Sequence, residues 1–141
     1  MIKETQIIEI ARSWIGTPFH HQSSLKLVGC DCLGLLLGIW RELYGHEPWV
    51  PAYGTDWARN HRDDALYHAL QKYFIPDESD ALHAGRVLLF RWRSNWPASH
   101  VGLTTSAQTM IHAYDGCGTC EGPLPASWRK RIVACFAFPP L

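Results

Sequence analysis

The sequence has 141 residues, 47% hydrophobic and 18% charged, enough apolar material for one folded domain over 1–141 and too much for a disordered chain. Lys plus Arg and Asp plus Glu number 13 each, so no overall positive field gathers nucleic acid or anionic lipid. The longest apolar run, Leu33 to Trp40, is broken by Gly34 and Gly38 and falls well short of the ~20 residues that cross a bilayer, which excludes an integral membrane segment.

Residues 1–15 carry Glu4 and Glu9 and lack a basic start followed by a continuous apolar stretch, so no secretory signal is expected. Ile7, Ile8, Ala11, Trp14 and Ile15 fall at helical spacing and predict an amphipathic helix over 3–15, closed by Gly16, Thr17 and Pro18. A second helix is predicted from Cys32 to Tyr44, with Asp31 as N-cap and Gly45 as its stop. Its apolar residues occupy nearly every side, which implies burial. Gly34 and Gly38 would each cost about 1 kcal/mol against Ala unless something packs closely there. Pro48, Pro51 and Gly54 mark a loop over 46–60, and Leu66, Ala69, Leu70 and Tyr73 share one face of a third helix over 61–74.

After Gly85 the period changes. Val87–Trp92, His100–Thr104, Met110–Tyr114 and Arg131–Phe138 are short runs with β-branched or aromatic content, separated by Gly, Pro, Ser and Asn. Helices followed by sequential strands predict an α+β fold, N-terminal helices packed on a C-terminal antiparallel sheet.

Cys32 opens the second helix, where unpaired amides and the positive end of the helix dipole favour thiolate and hence a nucleophile. In isolation the same residue reads more readily as a small buried hydrophobe. Two histidines add weight. Ser99-His-Val-Gly-Leu103 and Met110-Ile-His-Ala-Tyr114 are joined by a short connection suited to a hairpin, and a turn centred on Ser106 sets His100 opposite His112 on one face. A one-residue shift would separate them. Cys32, His100 and His112 together supply nucleophile, base and orienting group, the distant-in-sequence assembly of papain-type sites.

These blocks carry a family resemblance. Trp14-Ile-Gly-Thr-Pro-Phe19, Gly29-Cys-Asp-Cys-Leu-Gly-Leu35, Ser99-His-Val-Gly-Leu103 and Ile111-His-Ala-Tyr114, in that order, resemble the NlpC-type cell-wall cysteine peptidases, which are papain-like in fold. The stretch from Gly16 to Gly45, followed by Pro51-Ala-Tyr-Gly-Thr-Asp-Trp57, is similar to the phage-tail and gene transfer agent branch. The resemblance implies Cys32 as nucleophile, His100 as general base and His112 as orienting residue, with Phe19, His21 and Asp31 as substrate-binding positions. It further implies cleavage of amide bonds in the peptidoglycan stem peptide through a thioester, with no cofactor and no metal. Delivery on the tail tip of a phage-like particle, made in the cytoplasm and acting in the host envelope, and attachment to tail hub or baseplate proteins follow from the same branch.

Two positions depart from the family. It usually has Tyr where this chain has Phe19, whose ring offers no donor; one lost oxyanion donor costs about 3 kcal/mol, and His20, His21 and Gln22 are the candidates to compensate. The common Ser after the nucleophile is Leu33 here, as is typical of the phage-like branch.

Other readings compete. Cys117-Gly-Thr-Cys120 has the spacing of half a zinc or iron–sulfur site, which Cys30 or Cys135 could complete, but with no second such pair a glycine-rich loop holding one buried and one exposed thiol is the better reading. Five cysteines, an odd number, also argue against a disulfide framework. Of the seven tryptophans, Trp14 and Trp40 belong to helical apolar faces, while Trp49, Trp57, Trp92 and Trp96 lie near loops and fit either a substrate groove or a partner surface. Asp63-Asp64 and Arg129-Lys-Arg131 read as solvated faces, and Arg91-Trp-Arg93 equally as a docking patch. The rival function is a structural tail-tip component that keeps the peptidase fold with weak or no turnover; a lipid acyltransferase fits poorly, because there the histidine precedes the cysteine.

Overall fold

Helix α1 (Glu4–Ser13) buries Ile7, Ile8 and Ala11 as its periodicity predicts, and the chain turns away at Trp14 and at Gly16, whose φ of 93° suits glycine. The computed structural model describes residues 2–46, 48 and 64–140. The expected loop over 46–60, except His46 and Pro48, and positions 61–63 of the third helix therefore lie outside the described residues, as do Trp49 and Trp57.

A two-stranded ribbon follows, β1 (Ser24–Leu25) against β2 (Gly29–Cys30), and leads into α2 (Cys32–Tyr44). Both predicted ends of α2 are present. Asp31 Oδ1 accepts from the Gly34 amide at 2.7 Å, and Gly45, at φ 82°, returns its amide to the Arg41 carbonyl. The two interior glycines answer to close neighbours. A Cβ on Gly38 would lie 2.0 Å from the Trp14 ring, and one on Gly34 1.8 Å from the Ser23 carbonyl oxygen. Gly38 is thus the notch that lets α1 dock on α2 through Trp14, whose Nε1 donates to Glu42 at 2.7 Å. Gly34 lets the loop before β1 lie on the first turn of α2.

The third helix, α3 (Ala65–Tyr73), buries Leu66 and Leu70. The rest of the chain makes β3 (Ile75–Pro76), β4 (Arg86–Phe90), β5 (His100–Thr104), β6 (Thr109–Tyr114), β7 (Gly118–Pro123), the single turn α4 (Ala126–Arg129) and β8 (Ile132–Ala137). These strands form one six-stranded sheet in the order β3-β8-β4-β5-β6-β7, every neighbouring pair antiparallel. The α+β architecture with N-terminal helices and a C-terminal antiparallel sheet is as predicted. Of the Cys117–Cys120 segment, read as a glycine-rich loop, residues 118–120 instead begin the edge strand β7, which pairs along its whole length with β6. On its other side Thr119 exchanges backbone hydrogen bonds with Gly16 and Thr17 at 2.9 Å each.

Strand alternation divides the buried side chains. Val87, Leu89, Val101, Leu103, Ile111 and Ala113 join α1 and α2 in the main core with Trp14, Leu36, Ile39 and Trp40. Leu88, Phe90 and Met110 face the other way and meet Leu124, Trp92, Trp128 and Ile132 in a smaller cluster. No helix among the described residues is long and apolar enough to cross a membrane.

Candidate active site

Asp31 organises the entrance of α2 with both oxygens. Besides capping Gly34, it accepts from the Gln22 amide at 2.8 Å through Oδ2, which also lies 3.7 Å from His21 Nδ1. Gln22 sits at φ 63°, a left-handed conformation uncommon for a side-chain-bearing residue, and the bond to buried Asp31 holds it there. Phe19 reaches the same place by another route. After Thr17 pairs with Thr119, the chain runs beside Cys30, with Cys30 N donating to Pro18 O and His20 N to Cys30 O at 3.0 Å each. The partly buried side chains of Phe19 and Cys32 both pack at the margin of the main core.

Cys32 is the first residue of α2. Of the amides in that turn, Gly34 is taken by the Asp31 side chain and Leu35 by the Asp31 carbonyl, which leaves those of Cys32 and Leu33 to point at the sulfur. The thiol meets the backbone on either side of His100: Sγ lies 4.0 Å from the Ser99 carbonyl oxygen, and the Val101 amide favours the anionic sulfur. No hydrogen bond joins Sγ to an imidazole among the described residues. Catalytic hydrogen bonds of unliganded enzymes commonly tighten only when substrate binds.

The two histidines do pair. His100 Nε2 and His112 Nδ1 are 3.0 Å apart. The hairpin register that achieves this differs from the one expected. Leu103 faces Ile111 and Thr104 faces Met110, so the turn is centred on Ala107 and the pairing is displaced by two residues. A shift of two keeps both histidines on the same face. It also brings Gly102 beside His112, where a Cβ would sit 3.5 Å from His112 Cβ, and the imidazoles meet diagonally across the space that glycine leaves. The register follows from the turn: Thr105 N donates to Thr109 O at 2.9 Å, and both Thr105 Oγ1 and Ser106 Oγ lie 2.6 Å from Thr109 Oγ1.

Four aromatic rings enclose the pair. Trp92 stacks on His100 at 5.7 Å, Phe90 lies 5.8 Å away, and Trp128 stands edge-on to His100 and His112 at 5.8 and 5.2 Å. Tyr114 closes the remaining side, 5.6 Å from His112. The part played by Trp128 and Tyr114 was not read from the sequence: Trp128 arrives on α4, whose one turn is too short to show a period.

Electrostatics correct the expectation of a resting thiolate. Burial pushes the Cys32 thiol up to about 12, with the Asp31 carboxylate adding to the rise, and this outweighs the amides of Val101, Leu33 and Cys32 that favour the anion. Burial likewise lowers His100 to about 3, helped by the neighbouring His112, which burial also lowers. Thiol and imidazole therefore rest neutral at neutral pH. If His100 Nε2–H donates to His112 Nδ1, the one free lone pair on His100 is at Nδ1, the atom left to take a proton.

The five cysteines are all free thiols. Cys30 Sγ lies 3.2 Å from Thr119 Oγ1 in the buried interior. Cys117 is exposed, while Cys120, directly across from His112, is partly buried. No group of three His, Cys, Asp or Glu side chains suited to a metal is present among the described residues.

No family model matches the sequence, and no curated protein matches it either. Solved structures do. An NLP/P60 family protein similar to lipoprotein, from Staphylococcus aureus, superposes with a TM-score of 0.67 at 18% identity, covering 100% of this chain and 43% of its own length. An NlpC/P60 family protein from Bacillus cereus gives 0.69 at 16% identity, over 99% of this chain and 41% of that one. The NlpC/p60 domain of the peptidoglycan hydrolase SagA gives 0.63 at 20% identity, over 97% and 100% respectively. The chain thus spans less than half the length of the first two and the whole of the third. What it shares with all three is the papain-like α+β fold of NlpC/P60 proteins, helices first and the antiparallel sheet after them.

Proposed function

We propose that this chain is one NlpC-type domain over 1–141 that hydrolyses amide bonds in the peptide part of peptidoglycan, with Cys32 as nucleophile. The observation that carries the reading is the 3.0 Å His100–His112 pair at the end of the strand whose backbone receives the Cys32 thiol. The similarity in fold to a domain of a peptidoglycan hydrolase supports it. In this mechanism Cys32 Sγ attacks the carbonyl carbon as its proton passes to His100. The amides of Cys32 and Leu33 stabilise the oxyanion, and His100 gives the proton to the leaving amine. Water then attacks the thioester with His100 again as base, releasing the carboxylate product and restoring the thiol. His112 holds the tautomer of His100 and supports its transient positive charge. Asp31 and His21 shape the loop at the nucleophile, and Phe19 offers an apolar surface beside it.

The wider setting rests on the resemblance of Gly16–Gly45 to the phage-tail and gene transfer agent branch. In that setting the domain rides on the tail tip of a phage-like particle, held by hub or baseplate proteins, and opens the host wall. The test is release of peptide fragments from purified sacculi by the wild-type protein and by Cys32→Ala. Release by the wild type alone is expected; equal release by both removes the proposed nucleophile.

A second reading, a structural tail-tip component without turnover, is favoured by one feature. The resting thiol is neutral, pushed up to about 12, and is not hydrogen-bonded to His100. Wild-type protein that releases nothing from sacculi supports this reading instead.

A further inference from the structure

Two basic runs that are separate in sequence, Arg91-Trp-Arg93 and Arg129-Lys-Arg131, come together behind the imidazole pair. Arg91 N donates to Arg131 O at 3.0 Å, joining the end of β4 to the start of β8, and the Arg131 guanidinium donates to the Trp92 carbonyl. Between them opens a cleft of about 610 Å³ lined by Arg91, Trp92, Lys130 and Arg131, with the hydroxyl-bearing Ser94 and Ser127. Its charge is not balanced locally. Asp64 neutralises Arg91 through a 2.8 Å bond and spends its other oxygen on the Ala98 amide. Lys130 has no ion pair among the described residues, and Arg91 Nε is buried without a hydrogen-bond partner. In a chain whose charges sum to zero, Lys130 and Arg131 thus stand at one cleft without an ion pair among the described residues.

The cleft and the proposed catalytic pair share a wall. Trp92 lines the cleft and also stacks on His100 with ring centroids 5.7 Å apart. A group seated there lies one indole away from the proposed base, within the span of a short peptide. Guanidinium and ammonium donors beside serine hydroxyls suit a planar oxyanion, and the indole suits the aliphatic chain that carries it.

We propose that this cleft is a carboxylate-binding subsite that holds an acidic group of the peptide substrate. The inference rests on the hydrolase reading for the identity of that peptide, and its test separates the two. Binding is measured by calorimetry on Cys32→Ala protein with three probes: an acidic stem peptide, the same peptide with its carboxylates amidated, and inorganic phosphate. The acidic peptide should bind about tenfold more tightly than the amidated one, the scale of a charge-assisted hydrogen bond. Lys130→Gln, an exposed change that disturbs no packing, should remove most of that difference, and Lys130→Arg should restore it. Equal binding of both peptides, failure of the acidic peptide to bind, binding of phosphate alone, or indifference to Lys130→Gln each overturns the proposal. Charge-dependent binding without release from sacculi by the wild type retains the cleft and defeats the hydrolase. Release with equal binding does the reverse.

Discussion

On the side of the sheet covered by α1 and α2, Val87, Leu89, Val101, Leu103 and Ile111 are at most 2% exposed and touch aliphatic and indole groups from both helices. On the other side the same strands present Phe90, His100 and His112 to Trp92, Trp128 and Tyr114, under a single short helix and loops. One face carries most of the buried apolar surface and therefore most of the stability. The other buries two titratable rings at a cost in solvation. Cys32 belongs to the first face through its helix and meets the second at residue 100, where β5 begins.

If stability and chemistry are divided in this way, the largest separation comes from Cys32→Ala. Turnover on sacculi should fall by roughly 10⁴-fold or more, while the unfolding midpoint stays within a degree or two, because one sulfur at the core margin is removed. A large loss of stability would show that the thiol is a packing residue. The converse variant is Gly38→Ala. Its methyl would enter the Trp14 ring at 2.0 Å and force α1 off α2, with an expected cost of about 3 kcal/mol in urea unfolding. The folded fraction should keep the wild-type activity per molecule, since nothing at the imidazole pair has moved.

How far the sequence anticipates this arrangement differs between the two faces. The helical face is legible: apolar spacing marks α1, Asp31 and Gly45 bracket α2, and the paired glycines announce close neighbours that prove to be Ser23 and Trp14. The chemical residues are legible too, because His100 at the start of β5 and His112 in the second half of β6 land on the same face for any even register. Three things are not. Strand β7, Gly118–Pro123, contains two glycines and a proline and forms through its ladder with β6 rather than by propensity. The turn centre depends on the hydroxyls of Thr105, Ser106 and Thr109, which alternation along the strands does not reveal. The resting charge of Cys32 depends on burial, and a helix-start position read alone gives the opposite sign.

The buried imidazoles give the chemical face its own pH signature. His100 is held at about 3 in the folded protein against an ordinary value of 6.5, and His112 is displaced in the same direction. The unfolded chain therefore takes up protons that the folded one refuses as pH falls below 6.5. Stability contributed by neutral His100 is complete above that value and is lost progressively down to about pH 3. A fall in Tm of roughly 5–10 °C between pH 7 and pH 4 is expected for the wild type, with a shallower slope for His100→Gln. Equal slopes would mean that water reaches the ring.

Trp128 should have the smallest effect and the most specific one. Its indole stands edge-on to both imidazoles and packs against Trp92 at 4.8 Å and Tyr114 at 5.6 Å, so it does for the histidines what α2 does for the core. Trp128→Ala admits water to that face, reduces the desolvation that holds His100 low, and moves its pKa back toward 6.5. The proposed base must be unprotonated to accept the thiol proton, so the acid limb of kcat/KM should move to higher pH. The loss should be slight near pH 7, under about 1.5-fold, and grow to about fourfold near pH 6, while the wild type holds its rate. Trp128→Phe, which keeps a ring over the pair, should restore most of the acid tolerance. A purely structural tryptophan would instead lower activity by the same factor at every pH, and the two profiles measured side by side decide between these roles.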